Sequence, residues 1–223
     1  MGSKNKLKRF RENETFKNVV QPTREEVLNG FSLKGKWKFF FDNNNPIVLE
    51  LGCGKGEYTV ALARKNPNIN YIGIDIKGAR FWRGAKTALK EKLNNVAFVR
   101  TQIELIDQIF AENEVAEIWI TFPDPQIKYK RTVHRLTNLD FLKKYHFVLK
   151  SNGIVHLKTD SEFLHGYTIG LLQGFNQEIL YAHHHIYNNV EAPEEVVSVQ
   201  TFYEKQYLEK NKPITYLKFV LNF

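Results

Sequence analysis

From residue 46 onward, short apolar runs alternate with longer stretches of helical periodicity. Runs of strand length fall at 46–51, 70–75, 96–100, 115–122, 154–159, 176–184 and 214–222. Helices are predicted between them at 57–66, 78–93 (basic on one side), 103–112, 138–149 and 161–173, with a helical segment over 193–210. Breakers mark the joints: Pro67, Pro123-Asp124-Pro125 and Asn152-Gly153. Alternating strand and helix implies an α/β fold with a mainly parallel, seven-stranded sheet and helices on both faces. The last two strands lack a clean crossover helix between them, which predicts a C-terminal antiparallel hairpin. Residues 1–45 have no sustained periodicity. They hold a polar arm, a short helix at 23–29 and the aromatic patch Trp37-Lys38-Phe39-Phe40-Phe41, read as core packing. The organisation expected is a basic N-terminal extension, 1–45, and one domain, 46–223.

Composition fits that picture. The 223 residues suit a single domain, with 43% hydrophobic and 25% charged residues. No apolar run approaches the ~20 residues that span a bilayer. The N-terminus is polar and basic, without the apolar core of a signal peptide, so a cytoplasmic protein without membrane partners is expected. The single cysteine, Cys53, excludes an internal disulfide and a Cys-rich zinc site. The net charge of +8 is concentrated. Residues 1–24 hold seven basic residues against two acids, and residues 126–135 hold four basic residues (Lys128, Lys130, Arg131, Arg135) and no acid. The rest of the chain nets −1. Two basic segments point to a polyanionic partner gripped at two places.

The candidate chemistry starts at Glu50-Leu51-Gly52-Cys53-Gly54-Lys55-Gly56, directly after the run Ile47-Val48-Leu49. Gly52, Gly54 and Gly56 let the backbone turn tightly and approach a ligand. Asp75 ends the next strand, nineteen residues after Gly56, where a carboxylate can accept ribose hydroxyl protons. Glu50 at the strand end would repel a pyrophosphate and favour a sulfonium, so the loop fits S-adenosyl-L-methionine better than NAD. Phe122-Pro123-Asp124-Pro125 closes the fourth strand, which lies beside the first in such sheets and so faces the cofactor. Its two prolines fix where Asp124 points.

With these motifs the chain resembles the bacterial tRNA (guanine-N7-)-methyltransferase family. The resemblance runs through most of the chain: Lys8-Arg9-Phe10-Arg11, Glu50 to Gly54, Gly73-Ile74-Asp75, Phe122 to Pro125 with Lys128, Phe141-Leu142, Lys158-Thr159-Asp160, and Thr201-Phe202-Tyr203-Glu204-Lys205. It implies a Rossmann-like class I methyltransferase that moves a methyl group from S-adenosyl-L-methionine to N7 of a guanine in the variable loop of tRNA, as a monomer or homodimer. The cofactor positions it implies are Glu50, Gly52, Gly54, Gly56, Asp75, Gln102 and Asp124, with Asp124 also catalytic. The substrate positions are Lys128, Asp160, Thr201, Tyr203 and Glu204. Three positions depart from the family pattern. Gln126 stands for the usual tryptophan, Gln102 for an acid that helps hold adenine, and Asp75 for an acid that is often Glu.

Guanine N7 has an in-plane lone pair and needs no prior deprotonation. Proximity, alignment and negative charge near a cationic product are what the reaction asks for. Asp124 and Asp160 are expected to accept from guanine N1–H or its exocyclic amine. No metal site is expected, because the consecutive His183, His184 and His185 of a strand alternate faces. Cys53 is not needed as a nucleophile, and Lys158 is expected to serve the strand end or RNA. Two other readings stay open: methylation of an adenine N6 or protein amide, by analogy with the Pro-Asp-Pro loop, and a non-catalytic RNA chaperone that binds S-adenosyl-L-methionine.

Overall fold

The computed structural model describes residues 3–223. The extension forms helix α1 (Ser3–Thr15), strand β1 (Val19–Val20) and helices α2 (Arg24–Leu28) and α3 (Trp37–Phe41). Then follow β2 (Ile47–Leu51), α4 (Glu57–Lys65), β3 (Asn70–Ile74), α5 (Gly78–Lys90), β4 (Val96–Val99), α6 (Ile106–Ile109) and β5 (Val115–Thr121). The remainder is α7 (Leu139–Val148), β6 (Leu149–Thr159), α8 (Glu162–Gly174), β7 (Glu178–His183), α9 (Glu194–Val197), α10 (Phe202–Glu209) and β8 (Thr215–Val220).

The eight strands form one sheet in the order β1-β4-β3-β2-β5-β6-β8-β7. β8 runs antiparallel to both β6 and β7, and the other pairs are parallel. The connections leave β2 in one direction to β3 and β4, then in the other to β5 and β6. That reversal opens a crevice above the C-terminal ends of β2 and β5.

Alternation along each strand divides the core in two. Leu49, Leu51, Ile72, Ile74, Val155 and Leu157 pack with Trp37 and residues of α6, α7 and α8. Val48, Tyr71, Phe98, Trp119 and Tyr216 pack with residues of α4 and α5 and with Ile186, Val196 and Val199. Trp37 is fully buried and stacks on Phe110 with ring centroids 5.4 Å apart, so the aromatic patch is core at its first residue.

Four elements differ from the sequence-based expectation. Residues 3–15 are helical because α1 lies on α5: the Arg9 guanidinium sits 4.7 Å over the Trp82 ring, Trp82 Nε1 donates to Glu12 at 2.7 Å, and Asn13 Nδ2 donates to the Gly78 carbonyl at 2.9 Å. Val19 and Val20 pair with Phe98 and Val99, adding an eighth strand at the edge. The strand expected at 154 already begins at Leu149. The helix expected over 193–210 is broken between Val197 and Phe202. Among the described residues, no helix is long and apolar enough to cross a membrane.

Candidate functional site

Strand β2 delivers the glycine loop to the crevice. The N–H groups of Gly52 and Cys53 both donate to the Ile74 carbonyl, at 2.8 and 3.1 Å, which pins the loop to the end of β3. Gly56 has φ +71°, and a Cβ there would lie 2.5 Å from the Phe98 ring. A Cβ on Gly84 of α5 would lie 2.8 Å from the Lys55 carbonyl oxygen. Two glycines thus let α5 press against the loop from below. Gly52, at φ +73°, faces open space instead, with nothing within 4 Å of an added Cβ.

Asp75 is 8% exposed and clasps the same loop. Its Oδ2 accepts from Gly54 N at 3.0 Å and its Oδ1 from Lys77 N at 2.7 Å. Each oxygen keeps a further lone pair for a ligand. Glu50 is turned inward, 4% exposed. Its Oε2 accepts from Thr59 N at 2.8 Å and from the Thr59 hydroxyl, and its Oε1 accepts from the Thr121 hydroxyl at 2.7 Å. Glu50 therefore ties β2, α4 and β5 together beneath the loop. Burial pushes its carboxyl up to about 7, against the hydrogen bonds from Thr59 and Thr121. Cys53 is buried, and burial pushes its thiol well up, which makes it a packing residue. Gln102, beyond β4, accepts from the Arg24 guanidinium, so one cation of the N-terminal extension is spent at this end of the crevice.

Across the crevice, the turn after β5 holds Asp124 on the surface. Phe122 and Gln126 both adopt left-handed backbone, φ 48° and 46°, which is uncommon outside glycine. The surroundings fix them. Phe122 N donates to the Lys158 carbonyl at 2.8 Å, and Asp124 Oδ1 accepts from Gln126 N at 3.0 Å. Arg131 Nε donates to Gln126 Oε1 at 3.0 Å, and Arg135 Nε to the Gln126 carbonyl at 3.2 Å. Gln126 is thus a bonded part of the turn. Asp124 lines a cleft of about 480 Å³ with Gln126, Lys128, Lys130 and Arg131. Arg135 leaves the exposed basic segment: it is buried, with its guanidinium 4.4 Å over the Tyr167 ring.

The third wall is α10. Thr201 caps it in a reciprocal box with Glu204. Its first turn docks on the glycine loop: Phe202 N donates to Glu57 Oε2 at 3.1 Å, and Lys55 Nζ lies 4.0 Å over the Phe202 ring and 5.5 Å over that of Tyr203. Both rings stay about half exposed. Glu204 is brought to this segment but not to its surface. Its carboxylate is fully buried, paired with Lys158, and accepts from the Tyr187 hydroxyl and Thr201 N. Lys158 likewise faces inward rather than towards a polyanion. Asp160 follows β6 half-buried, near Tyr207 of α10, whose phenol is pushed up by burial and then by the Asp160 charge. The Tyr207 ring lies 6.1 Å from that of Phe122, so the Asp124 turn, Asp160 and α10 meet.

Contacts thus link Gly54 to Asp75, the first turn of α10 to the glycine loop, and Tyr207 of α10 to the turn that carries Asp124, with Glu50 and Glu204 buried beneath them. The joining of α10 to the loop by Lys55 and Glu57 is not readable from sequence, because their partner Phe202 lies 145 residues downstream of Glu57.

The chain is similar to known proteins. A family described as Putative methyltransferase matches residues 44–217. A tRNA (guanine-N(7)-)-methyltransferase of Christiangramia forsetii is 73% identical over 98% of this chain and 99% of that protein. One from Bacteroides fragilis is 46% identical over 98% of this chain and 86% of that protein. The structure of the 16S rRNA methyltransferase KamB shares the fold with a TM-score of 0.64 at 13% identity, over 85% of this chain and 94% of that one.

Proposed function

Because the chain belongs to the tRNA (guanine-N(7)-)-methyltransferase family, we propose that its crevice receives a guanine of the tRNA variable loop opposite the methyl donor, with Asp124 beside the reacting centre. The reaction is S-adenosyl-L-methionine-dependent methylation of guanine N7 in tRNA. The observation that carries the site assignment is the docking of the Thr201–Tyr203 segment on the glycine loop through Glu57 and Lys55. It joins a donor half and an acceptor half in one rigid frame.

The donor half suits the cofactor. The open face of Gly52 leaves room over the loop, and Asp75 keeps acceptor capacity for two ribose hydroxyls. The Gln102 amide would meet the adenine end. Bound there, S-adenosyl-L-methionine supplies an activated methyl group on a positively charged sulfur. Glu50 holds the floor of the loop and adds negative charge below it in its ionised fraction.

The acceptor half must choose guanine and hold its N7 in line. Asp124 and Asp160 are acceptors only, so they take the N1–H and exocyclic amine of guanine and find no matching pair on adenine. No base is needed, since N7 loses no proton. The carboxylates instead stabilise the cationic product. The base must leave its stack to reach the crevice, and the half-exposed Tyr203 ring offers it a face. Lys128 and its neighbours hold phosphates.

The test is radiolabelled S-adenosyl-L-methionine with unmodified bulk tRNA, followed by nucleoside analysis and mapping of the labelled position. Label in 7-methylguanosine of the variable loop is expected. Label in N6-methyladenosine, or at another guanine, would sink the assignment.

A further inference from the structure

The helix that leaves the cofactor strand carries a second kind of information. Between Lys77 and Lys90 the chain has five basic residues and no acid: Lys77, Arg80, Arg83, Lys86 and Lys90. Averaged with the rest of the chain this excess disappears, but in space it does not. All five are exposed, at three- and four-residue spacings along α5, while Phe81, Gly84, Ala85 and Ala88 face the core. Lys86 pairs with Glu12 of α1 at 3.5 Å; the other four make no ion pair with any described residue.

Three features tie this stripe to the crevice. It begins two residues after Asp75, where Lys77 N binds the Asp75 carboxylate. It shares a groove of about 170 Å³ with the glycine loop, lined by Lys55, Glu57, Arg64 and Arg83, of which Arg64 is paired with Glu91 at 2.7 Å and Glu57 accepts from Phe202 N. It also runs beside α1, whose Lys8 and Arg11 are exposed. A 13-residue helix extends about 20 Å, long enough to follow several successive phosphates.

We propose that the exposed face of α5 is a track for the phosphate backbone of tRNA, opposite the basic turn at Lys128–Arg131. It rests on the tRNA reading above and adds a grip that neither basic segment of the sequence contains. The track holds tRNA and touches neither the donor nor the reacting atoms.

The test compares the full chain with Arg80→Gln/Arg83→Gln/Lys90→Gln, using transcribed tRNA in mobility-shift and initial-rate assays across salt concentrations. The triple variant should bind tRNA roughly tenfold or more weakly and lose about two to three units of the slope of log affinity against log salt, with the KM for S-adenosyl-L-methionine unchanged. A control that removes equal charge from the other side, Lys36→Gln/Lys143→Gln/Lys150→Gln, should retain both affinity and slope. Unchanged tRNA affinity in the first variant, or equal losses in both, overturns the track. The binding assay reads this independently of methylation: a wild-type chain that makes no 7-methylguanosine would defeat the functional reading, while the α5 comparison still stands or falls by the shift.

Discussion

Lys158 Nζ lies 2.5 Å from Glu204 Oε1, and neither side chain has any exposed surface. The pair joins the end of β6 to the first turn of α10. The ammonium also donates to the carbonyls of Val196 and Val199, and Tyr187 donates to the same Glu204 oxygen, so the site is densely bonded. Burial pulls the Lys158 pKa down and the Glu204 charge opposes it. Removing one partner strands the other. Lys158→Met should cost about 3–5 kcal/mol in urea unfolding, and Lys158→Met/Glu204→Gln less than the sum of its single changes. Additive costs would mean that the two side chains do not act as a pair.

Glu50 gives the protein a pH signature. Its carboxyl is raised from 4.5 to about 7 in the folded state. Between those values the folded chain holds a proton that the unfolded chain has released, so stability falls as pH rises through this window and levels off above it. Glu50→Gln keeps an acceptor for Thr59 and lacks the titration. Between pH 5 and pH 8 the wild type should lose about 2–3 kcal/mol relative to this variant, read from paired urea titrations. Parallel pH curves would show that Glu50 ionises normally.

Asp124→Asn preserves an acceptor for Gln126 N and hence the turn, but it removes the charge and places an amide donor at the position proposed to hold the guanine edge. The single-turnover rate of methyl transfer should fall on the order of a hundredfold, with the thermal midpoint moved by no more than about 2 °C. Wild-type turnover in a folded Asp124→Asn protein would remove Asp124 from the reacting centre.

Gly84 lies outside the loop yet sets its position. A Cβ there meets the Lys55 carbonyl oxygen at 2.8 Å and Gly56 Cα at 3.0 Å, both backbone atoms. Gly84→Ala should therefore displace the loop, destabilising the fold by about 1–3 kcal/mol and weakening S-adenosyl-L-methionine binding in calorimetry. Intact cofactor affinity in this variant would show that the loop tolerates the shift.

The parallel strands and the crevice were legible in the sequence because buried strands need unbroken apolar runs and the loop needs glycine. The apolar runs before them also placed Asp75 just after β3 and Asp124 in the turn after β5. What stayed hidden depends on partners distant in sequence. Helix α1 has too few apolar residues to show a period and is held by Trp82 and Gly78. A two-residue strand such as Val19–Val20 exists only through its pairing with β4. The break before α10 serves Lys158, which binds the carbonyl of Val196 just before it and that of Val199 within it. Glu50 looked like a group facing the ligand because a strand-end acid is visible in sequence, whereas Thr59 and Thr121 as its donors are not.

The position of β8 between β6 and β7 bears on the order of folding during synthesis. Among the described residues, strand β7 pairs only with β8, which follows it after 31 intervening residues. A growing chain that has released β7 therefore has an unpaired strand, while β1 to β6 can already zip together. The intervening 31 residues include the whole Thr201–Glu204 segment. The ribosome thus finishes the Thr201–Glu204 segment before the sheet behind it can close, and Lys158 finds its counter-ion only near the end of that process.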